Sequence, residues 1–430
     1  MITYHDALQQ LPPEGLFRDA SLPFHLSPTP FPLAPDLVRQ LHRLGPILLK
    51  FQMACDRIYK RSRKGTVTPW IAQTLDAGKP SWLTDEQLHG QHKNALPRVI
   101  RPDLLLTDSG FSLTELDSVP GGIGTTTWLQ SLYDHSIGAG MLPAFRSLQP
   151  AGLDIHISEE SADYRPEMDY LSQALNQHYP DGRWTCHSAE TPPAPHPTST
   201  ETTRQIYRFC ELFDWHNVPA ISTLYRQQEV TPPLKPHLEE KLWLALLWTP
   251  GLGKLWKNRL RSSHLRRLYD IIPHGWGIDS TELPPQASLP YLNVHSWQEV
   301  ANFSQKERNL VLKISGFNEL AWGSRGVHIG HDMPSLEWQE ALEHALDHSH
   351  QQPWMMQRFH SGKIIEHPYY DPDTGNVMTM KGRVRLCPYF FKDPHGYTQF
   401  AGCLATIVPA DKKKIHGMRD GILVPCSIAS

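Results

Sequence analysis

The chain has 430 residues, 40% of them hydrophobic, which is too long for one ordinary core and rich enough to fill two or three lobes. Its net charge of −3 gives no global field to attract nucleic acid or an anionic membrane, and the Lys412-Lys413-Lys414 run reads as a solvated loop. The six cysteines have no close metal-ligand spacing, Met1 to Asp6 lack a leader pattern, and the most apolar run, Leu242 to Leu252, is interrupted by Pro250 and Gly251; a reducing, cytoplasmic setting is expected.

Residues 1–35 hold seven prolines and little periodicity, which predicts an irregular docked segment. From Asp36 to Lys60, Leu37, Leu41, Leu44, Leu48, Phe51, Cys55 and Ile58 recur every three to four residues, an amphipathic helix with Pro46 bending it. A shorter helix is expected over 70–77. Two strands, Val99 to Leu106 and Phe111 to Asp117, flank Asp108-Ser109-Gly110. Pro120 to Gly124 reads as a flexible loop before a helix from Thr126 to Ser136. Strand, helix and strand at Asp154–Ser158, Glu167–His178 and Arg183–His187 make a small α/β lobe. Thr191 to Thr200 is a linker, and Ile206–Leu212 a further strand. Residues 238–272 read as helical. The last part holds strands at Leu310–Ile314, Trp354–Phe359, Arg383–Phe391 and Phe400–Val408 and a helix at Ser335–Ser349.

The hairpin carries the most chemistry. A three-residue loop ending in Gly110 pairs Thr107 with Phe111. Counting back, Asp103 faces Glu115 and Arg101 faces Asp117, so all four side chains share one face. Three carboxylates together are costly to bury, and a hard cation such as Mg²⁺ relieves the repulsion. Arg101 suits a phosphoryl oxygen. The same four residues also fit an exposed hairpin with surface ion pairs. Pro102 requires an edge or a locally unpaired strand.

The pattern R-x-D, then E-x-D twelve residues after the first Asp, resembles the metal-binding element of glutathionylspermidine synthetase and related circularly permuted ATP-grasp proteins. That resemblance implies that Arg101 stabilises the transferring phosphoryl group and that Asp103, Glu115 and Asp117 hold Mg²⁺, with two ions. Asp117 stands where the family usually has Asn, adding a negative charge. Glu240-Lys241-Leu242-Trp243-Leu244-Ala245-Leu246-Leu247-Trp248 resembles the family's N-K-A-I-L-P-L-L-W stretch, which makes Lys241 a phosphate ligand; beside Glu239 and Glu240 it also fits an ordinary helix-surface lysine. Lys313 lies inside an apolar strand and is followed by Gly316, Gly323 and Gly326. Strand, Lys and glycine-rich loop suit a triphosphate, with backbone N–H groups around the oxygens; a snorkelling edge lysine is the other reading. Gly323-Ser324-Arg325-Gly326 resembles the family's glycine-rich flap, set farther from the Lys than usual. Gln357 falls on the segment that reads adenine. Arg383 and Arg385 alternate on one strand face, toward phosphate or toward solvent.

The resemblance covers 98–124 best and 239–248 and 310–360 less fully, and it is absent over 1–95. It implies an α+β protein with a permuted ATP-grasp fold, a small α/β lobe and a helical N-terminal region. The expected divisions are 1–95, helical; 96–150, metal hairpin and Gly-rich loop; 151–220, small lobe; 221–300, helical connector; and 301–430, nucleotide-binding part. The implied activity is ATP-dependent, ADP-forming ligation of a carboxylate to an amine, on small-molecule or peptide substrates, with no nucleic acid or membrane partner and the oligomeric state open. A kinase without an amine acceptor and a silent ATP-binding subunit are the alternatives. His344, His348 and His350, and His89 and His92, form no metal signature, and Cys387 and Cys403 read as buried apolar residues.

Overall fold

The computed structural model describes residues 2–17, 22–117, 119–193, 204–284, 287–321, 323, 325–412 and 420–429. Most of the expected 191–200 linker and Lys413-Lys414 therefore lie outside the described residues. The described chain forms fifteen strands: β1 (Phe31–Leu33), β2 (Val99–Thr107), β3 (Gly110–Asp117), β4 (Asp154–Ile157), β5 (Thr185–Ser188), β6 (Ile206–Phe209), β7 (Val230–Thr231), β8 (Gly275–Gly277), β9 (Leu310–Ile314), β10 (Val327–Ile329), β11 (Trp354–Arg358), β12 (Ile364–Tyr370), β13 (Val377–Lys392), β14 (Thr398–Pro409) and β15 (Ile422–Ile428). Two compact units result. Unit 1 comprises 1–52, 85–235 and 362–430; unit 2 comprises 53–84 and 236–361.

Unit 1 holds two sheets. The larger has the order β1-β15-β14-β13-β2-β3, with β12 also paired to β13. Its central strands are long apolar alternations, and Leu386, Phe390, Leu404, Ile407 and Val424 are all buried. The predicted helix is real and longer, Pro35–Arg63, and it runs through Pro46. Gly45 lets it lie close on β13, because a Cβ there would come within 2.6 Å of the Phe390 ring. The N-terminal segment is more ordered than its prolines suggest: Tyr4–Gln9 is a helix capped by the Thr3 side chain, and Phe31–Leu33 adds to the sheet beside β15. The strand, helix and strand read over 154–187 form, within unit 1, part of a parallel sheet in the order β5-β4-β6-β7 with the Arg165–His178 helix as crossover.

Unit 2 is built on an antiparallel sheet, β10-β9-β11-β8. One face carries Leu312, Ile314, Trp354 and Met356, packed with Trp338 and Leu342 of the Ser335–Asp347 helix. Trp338 is fully buried and its indole N–H donates to the Val300 carbonyl at 3.1 Å. The expected helical run over 238–272 is broken. Only Leu242–Leu246, Gly253–Lys257 and Ser262–Ile271 are α-helical. Pro250 and Gly251, the latter at φ +83°, end the first piece.

Two histidines in unit 1 are buried without becoming ligands. His156 on β4 bonds the Tyr225 hydroxyl at 3.1 Å, and His367 on β12 bonds the Ser27 hydroxyl at 3.0 Å. Burial lowers both to about 4. The unfolded chain binds those protons from about pH 6.5 downward, so their contribution to stability is present above that pH and is lost as pH falls toward 4. Urea unfolding midpoints are therefore expected to drop between pH 7 and pH 5, above the carboxylate range. His367→Gln should shrink that drop; an unchanged pH dependence in the variant would contradict the assignment.

Candidate functional site

The β2–β3 hairpin delivers the expected register by a different route. Thr107 pairs with Gly110, so the loop is the two residues Asp108-Ser109. A bulge then intervenes: Leu104 faces Leu113 while Asp103 faces Glu115, leaving Thr114 as the extra residue. The two departures cancel, and Arg101 still faces Asp117. Gly110 does have positive φ, +134°. Pro102 is not on an edge strand, because β2 lies between β13 and β3. The β2–β13 ladder pairs Leu104 with Leu386 and Ile100 with Phe390, and between those pairs Pro102 lies opposite Pro388. Two residues without an N–H thus share one gap in the ladder.

Around that gap the side chains of β13 join those of β2. Arg101 donates to Asp117 Oδ2 at 2.5 Å and to the Gly121 carbonyl at 2.9 Å, and its Nε lies 3.3 Å from Asp103 Oδ1. Arg385 donates to Asp103 Oδ2 at 2.9 Å, and the Cys387 thiol points to Asp103 Oδ1 at 3.5 Å. Burial works against the Arg101 cation, but Asp117 and Asp103 more than offset it and hold its pKa well above an ordinary arginine. Burial raises Asp117 despite Arg101, and repulsion from Glu115 and Asp103 adds to it. Burial, then Asp103, pushes the Cys387 thiol up to about 12, so it stays protonated. Arg383, two residues before Arg385, brings the face to three guanidiniums and three carboxylates. Two of their donors, Arg383 Nη1 and Arg385 Nε, are buried without a hydrogen-bond partner, and Arg101 Nε has only its ion pair with Asp103.

The carboxylates that the resemblance gives to Mg²⁺ do not make a ligand set as placed. Asp103 and Asp117 are taken up by Arg101, Arg385 and the Val119 N–H, and among the described residues no three His, Cys, Asp or Glu converge to hold a metal. The donors left over suit an anion.

The Pro120–Gly124 loop is pinned, contrary to the expected flexibility. Gly121 O accepts from Arg101 and, at 2.8 Å, from the Tyr389 hydroxyl. Buried Glu167 receives the Gly122 and Thr125 N–H groups at 2.7 and 2.9 Å, capping the Ile123–Leu132 helix from outside. Burial raises the Glu167 pKa, and these hydrogen bonds oppose the shift. The sequence offers no signal for Glu167, which comes from a helix and lies 45 positions after Gly122. Cys387 and Tyr389 were legible in part, as they continue the Arg383, Arg385 alternation.

In unit 2, Lys313 is on an inner strand, flanked by Val327 of β10 and Met355 of β11. It does not snorkel: it is 8% exposed, and Nζ donates to Gln357 Oε1 at 3.0 Å. Gln357 Nε2 is buried without a partner. Lys241 precedes the Leu242–Leu246 helix, is buried rather than on a helix surface, and donates from Nζ to the Ala321 carbonyl at 2.5 Å. Its N–H and that of Leu242 bond Ser315 O and Oγ at 2.9 and 2.8 Å. Glycines 275 and 277 on β8 let this helix lie against the sheet, since a Cβ on either would approach Ala245 or Leu242. The loop after β9 is anchored as well. Gly316 sits against Glu239 O and Glu240, and Glu240 forms a fully buried pair with Lys79 at 2.5 Å. Gly323 has φ +68°; Gly326 closes the loop base by bonding Leu320 O at 2.8 Å, and Arg325 is exposed. Ser324 lies outside the described residues. The structure thus gathers Arg101, Asp103, Glu115 and Asp117 in unit 1, and Lys241, Lys313 and Gln357 in unit 2.

No family model and no curated protein matches the chain. Among solved structures, a glutathione synthetase-like effector from Globodera pallida superposes with a TM-score of 0.57 at 12% identity, covering 99% of this chain and 96% of that one. That likeness shows that the two chains share a fold. A putative gamma-glutamylcysteine synthetase from Methylobacillus flagellatus aligns at a TM-score of 0.40 and 11% identity, over 90% of this chain and 88% of that one.

The pinned loop yields a test. A Cβ on Gly124 would lie 1.9 Å from the Glu167 carbonyl oxygen, a backbone atom that cannot swing aside. Gly124→Ala is expected to cost about 3 kcal/mol, read as a lowered urea midpoint at constant slope. A neutral effect would show the loop to be looser than its hydrogen bonds indicate.

Proposed function

We propose that the protein is an ATP-dependent, ADP-forming carboxylate–amine ligase on a circularly permuted ATP-grasp fold. The observation that carries this reading is the unit 1 face, where Arg383 Nη1 and Arg385 Nε are buried donors without a hydrogen-bond partner, beside carboxylates already held by Arg101 and Arg385. Such donors fit phosphoryl and carboxylate oxygens, whose fork geometry guanidinium matches. In unit 2 the Lys313–Gln357 pair supports a nucleotide site: Lys313 and Lys241 supply charge for phosphate, and the free Gln357 Nε2 donor suits a purine nitrogen.

In this reading a substrate carboxylate oxygen attacks the γ-phosphorus and ADP leaves. An amine then attacks the acyl carbon and phosphate leaves. Arg101 and Arg385 neutralise charge that develops on the transferring group, and the pinned Gly121 carbonyl keeps Arg101 oriented. Mg²⁺ enters only through the resemblance; with Asp103 and Asp117 held by arginine, no step is derived through it. The substrate carboxylate and amine are small molecules or peptides. Six free thiols suit a reducing compartment such as the cytoplasm. One observation favours a second reading, a silent nucleotide binder: the same Arg–Asp pairs close the acidic face on itself.

Hydroxylamine separates these readings. Supplied with Mg-ATP and a panel of amino acids and peptides, the ligase is expected to yield a hydroxamate together with ADP. A stable phosphoester instead would establish a kinase, and no ADP above background a silent binder. On the nucleotide side, Lys313→Met should weaken ATP binding by about 1.5–3 kcal/mol, the usual loss for a charge-assisted contact. Calorimetry showing equal affinity would remove Lys313 from the site.

A further inference from the structure

Net charge averages over the whole chain and hides a local extreme. From Lys241 to Tyr269 there is no Asp or Glu, while seven Lys and Arg occur. Six of these lie on or between the Gly253–Lys257 and Ser262–Ile271 helices of unit 2. Trp256, Leu265, Leu268 and Ile271 turn inward, which leaves Lys254, Lys257, Arg261 and Arg266 exposed and Arg259 half-exposed. None of these five forms an ion pair with a described residue.

The same helices frame a pocket of about 300 Å³, lined by Trp248, Pro250, Gly251, Gly253 and Tyr269. Gly253 opens one basic helix and Tyr269 lies in the other, three residues after Arg266. Around Gly251 and Gly253 there is open space where a side chain would stand. Trp248 is held between Tyr269 and His274, with ring centres 4.6 and 4.7 Å away. Its indole N–H is buried and has no hydrogen-bond partner.

We propose that this face of unit 2 binds single-stranded nucleic acid, one base entering the Trp248–Tyr269 pocket while phosphates lie along the cations. Every base offers a flat π face to the aromatic wall of the pocket. A base already paired in a duplex cannot enter. An acidic polypeptide would satisfy the cations and leave the pocket unused. RNA and DNA share the recognised chemistry, and the assay distinguishes them.

Fluorescence anisotropy with labelled U15 and dT15 tests this on the full chain. Saturable binding is expected at 50 mM salt, with log affinity falling against log salt at a slope near −3.5, about −0.7 for each of five cations. Lys254→Glu/Lys257→Glu/Arg261→Glu should abolish binding with an unchanged urea midpoint. Trp248→Ala should weaken it roughly tenfold and Trp248→Phe much less, because the stack is retained. A duplex of equal length should bind at least tenfold more weakly. No binding at 50 mM salt overturns the proposal. So does equal binding of duplex, polyglutamate or phosphatidylserine vesicles, which would make the patch a general anion or membrane surface. Should Trp248→Ala unfold the protein, the charge variant and the duplex comparison still decide.

Discussion

Three carboxylates on one side of a mostly buried sheet cannot stay ionised without cations beside them. The organisation of unit 1 follows from meeting that requirement with arginine. Arg101 serves two of the acids from within the hairpin, and Arg385 reaches Asp103 from β13. β13 must therefore lie against β2 rather than against the hairpin's outer edge. Removing Arg101 would strand Asp117, a larger penalty than the pair itself contributes, whereas Asp103 would keep one of its two arginines.

The backbone makes room for this network. Where Pro102 meets Pro388 neither strand can donate, so the ladder opens just where the side chains converge. The Gly121 carbonyl fills part of the resulting need for acceptors, taking both Arg101 and Tyr389. Glu167 then fixes Gly122, so a segment that looks soft by composition is held from three sides. Unit 2 uses a related device. The buried Lys79–Glu240 pair and Ser315 hold the loop after β9 in place beside Lys241.

Much of this was legible in the sequence, and the failures have physical causes. The change of period over 98–117 identified the hairpin, short apolar runs identified β9 and β11, and the β13–β14 pair was read as two further strands. Helical spacing identified Pro35–Arg63 because its apolar stripe is continuous. The hairpin register came out right only because a shorter loop and a bulge at Thr114 compensate; neither has a strong local signal. The 238–272 stretch read as helical and holds three short helices, the first set apart from the others by Pro250 and Gly251. Lys313 was recognisable because a lysine in an apolar strand demands a partner, and Gln357 is that partner. Lys79 with Glu240, and Glu167 with Gly122, were invisible, since long-range polar pairs leave no periodicity. The global charge balance was a poor guide to unit 2, where cations are segregated onto two short helices.

Unit 1 is assembled from three separated stretches of chain, and Asp103 waits for an arginine 282 positions later. On a ribosome adding about 5–20 residues per second, that interval lasts roughly 14–56 s. Throughout it the inner edge of β2 has no neighbour, and the acidic face has only Arg101. The 236–361 stretch of unit 2 emerges in the meantime. The hairpin's own charge, unwelcome inside a finished sheet without its cations, keeps the nascent edge hydrated and discourages pairing with other chains until β13 arrives.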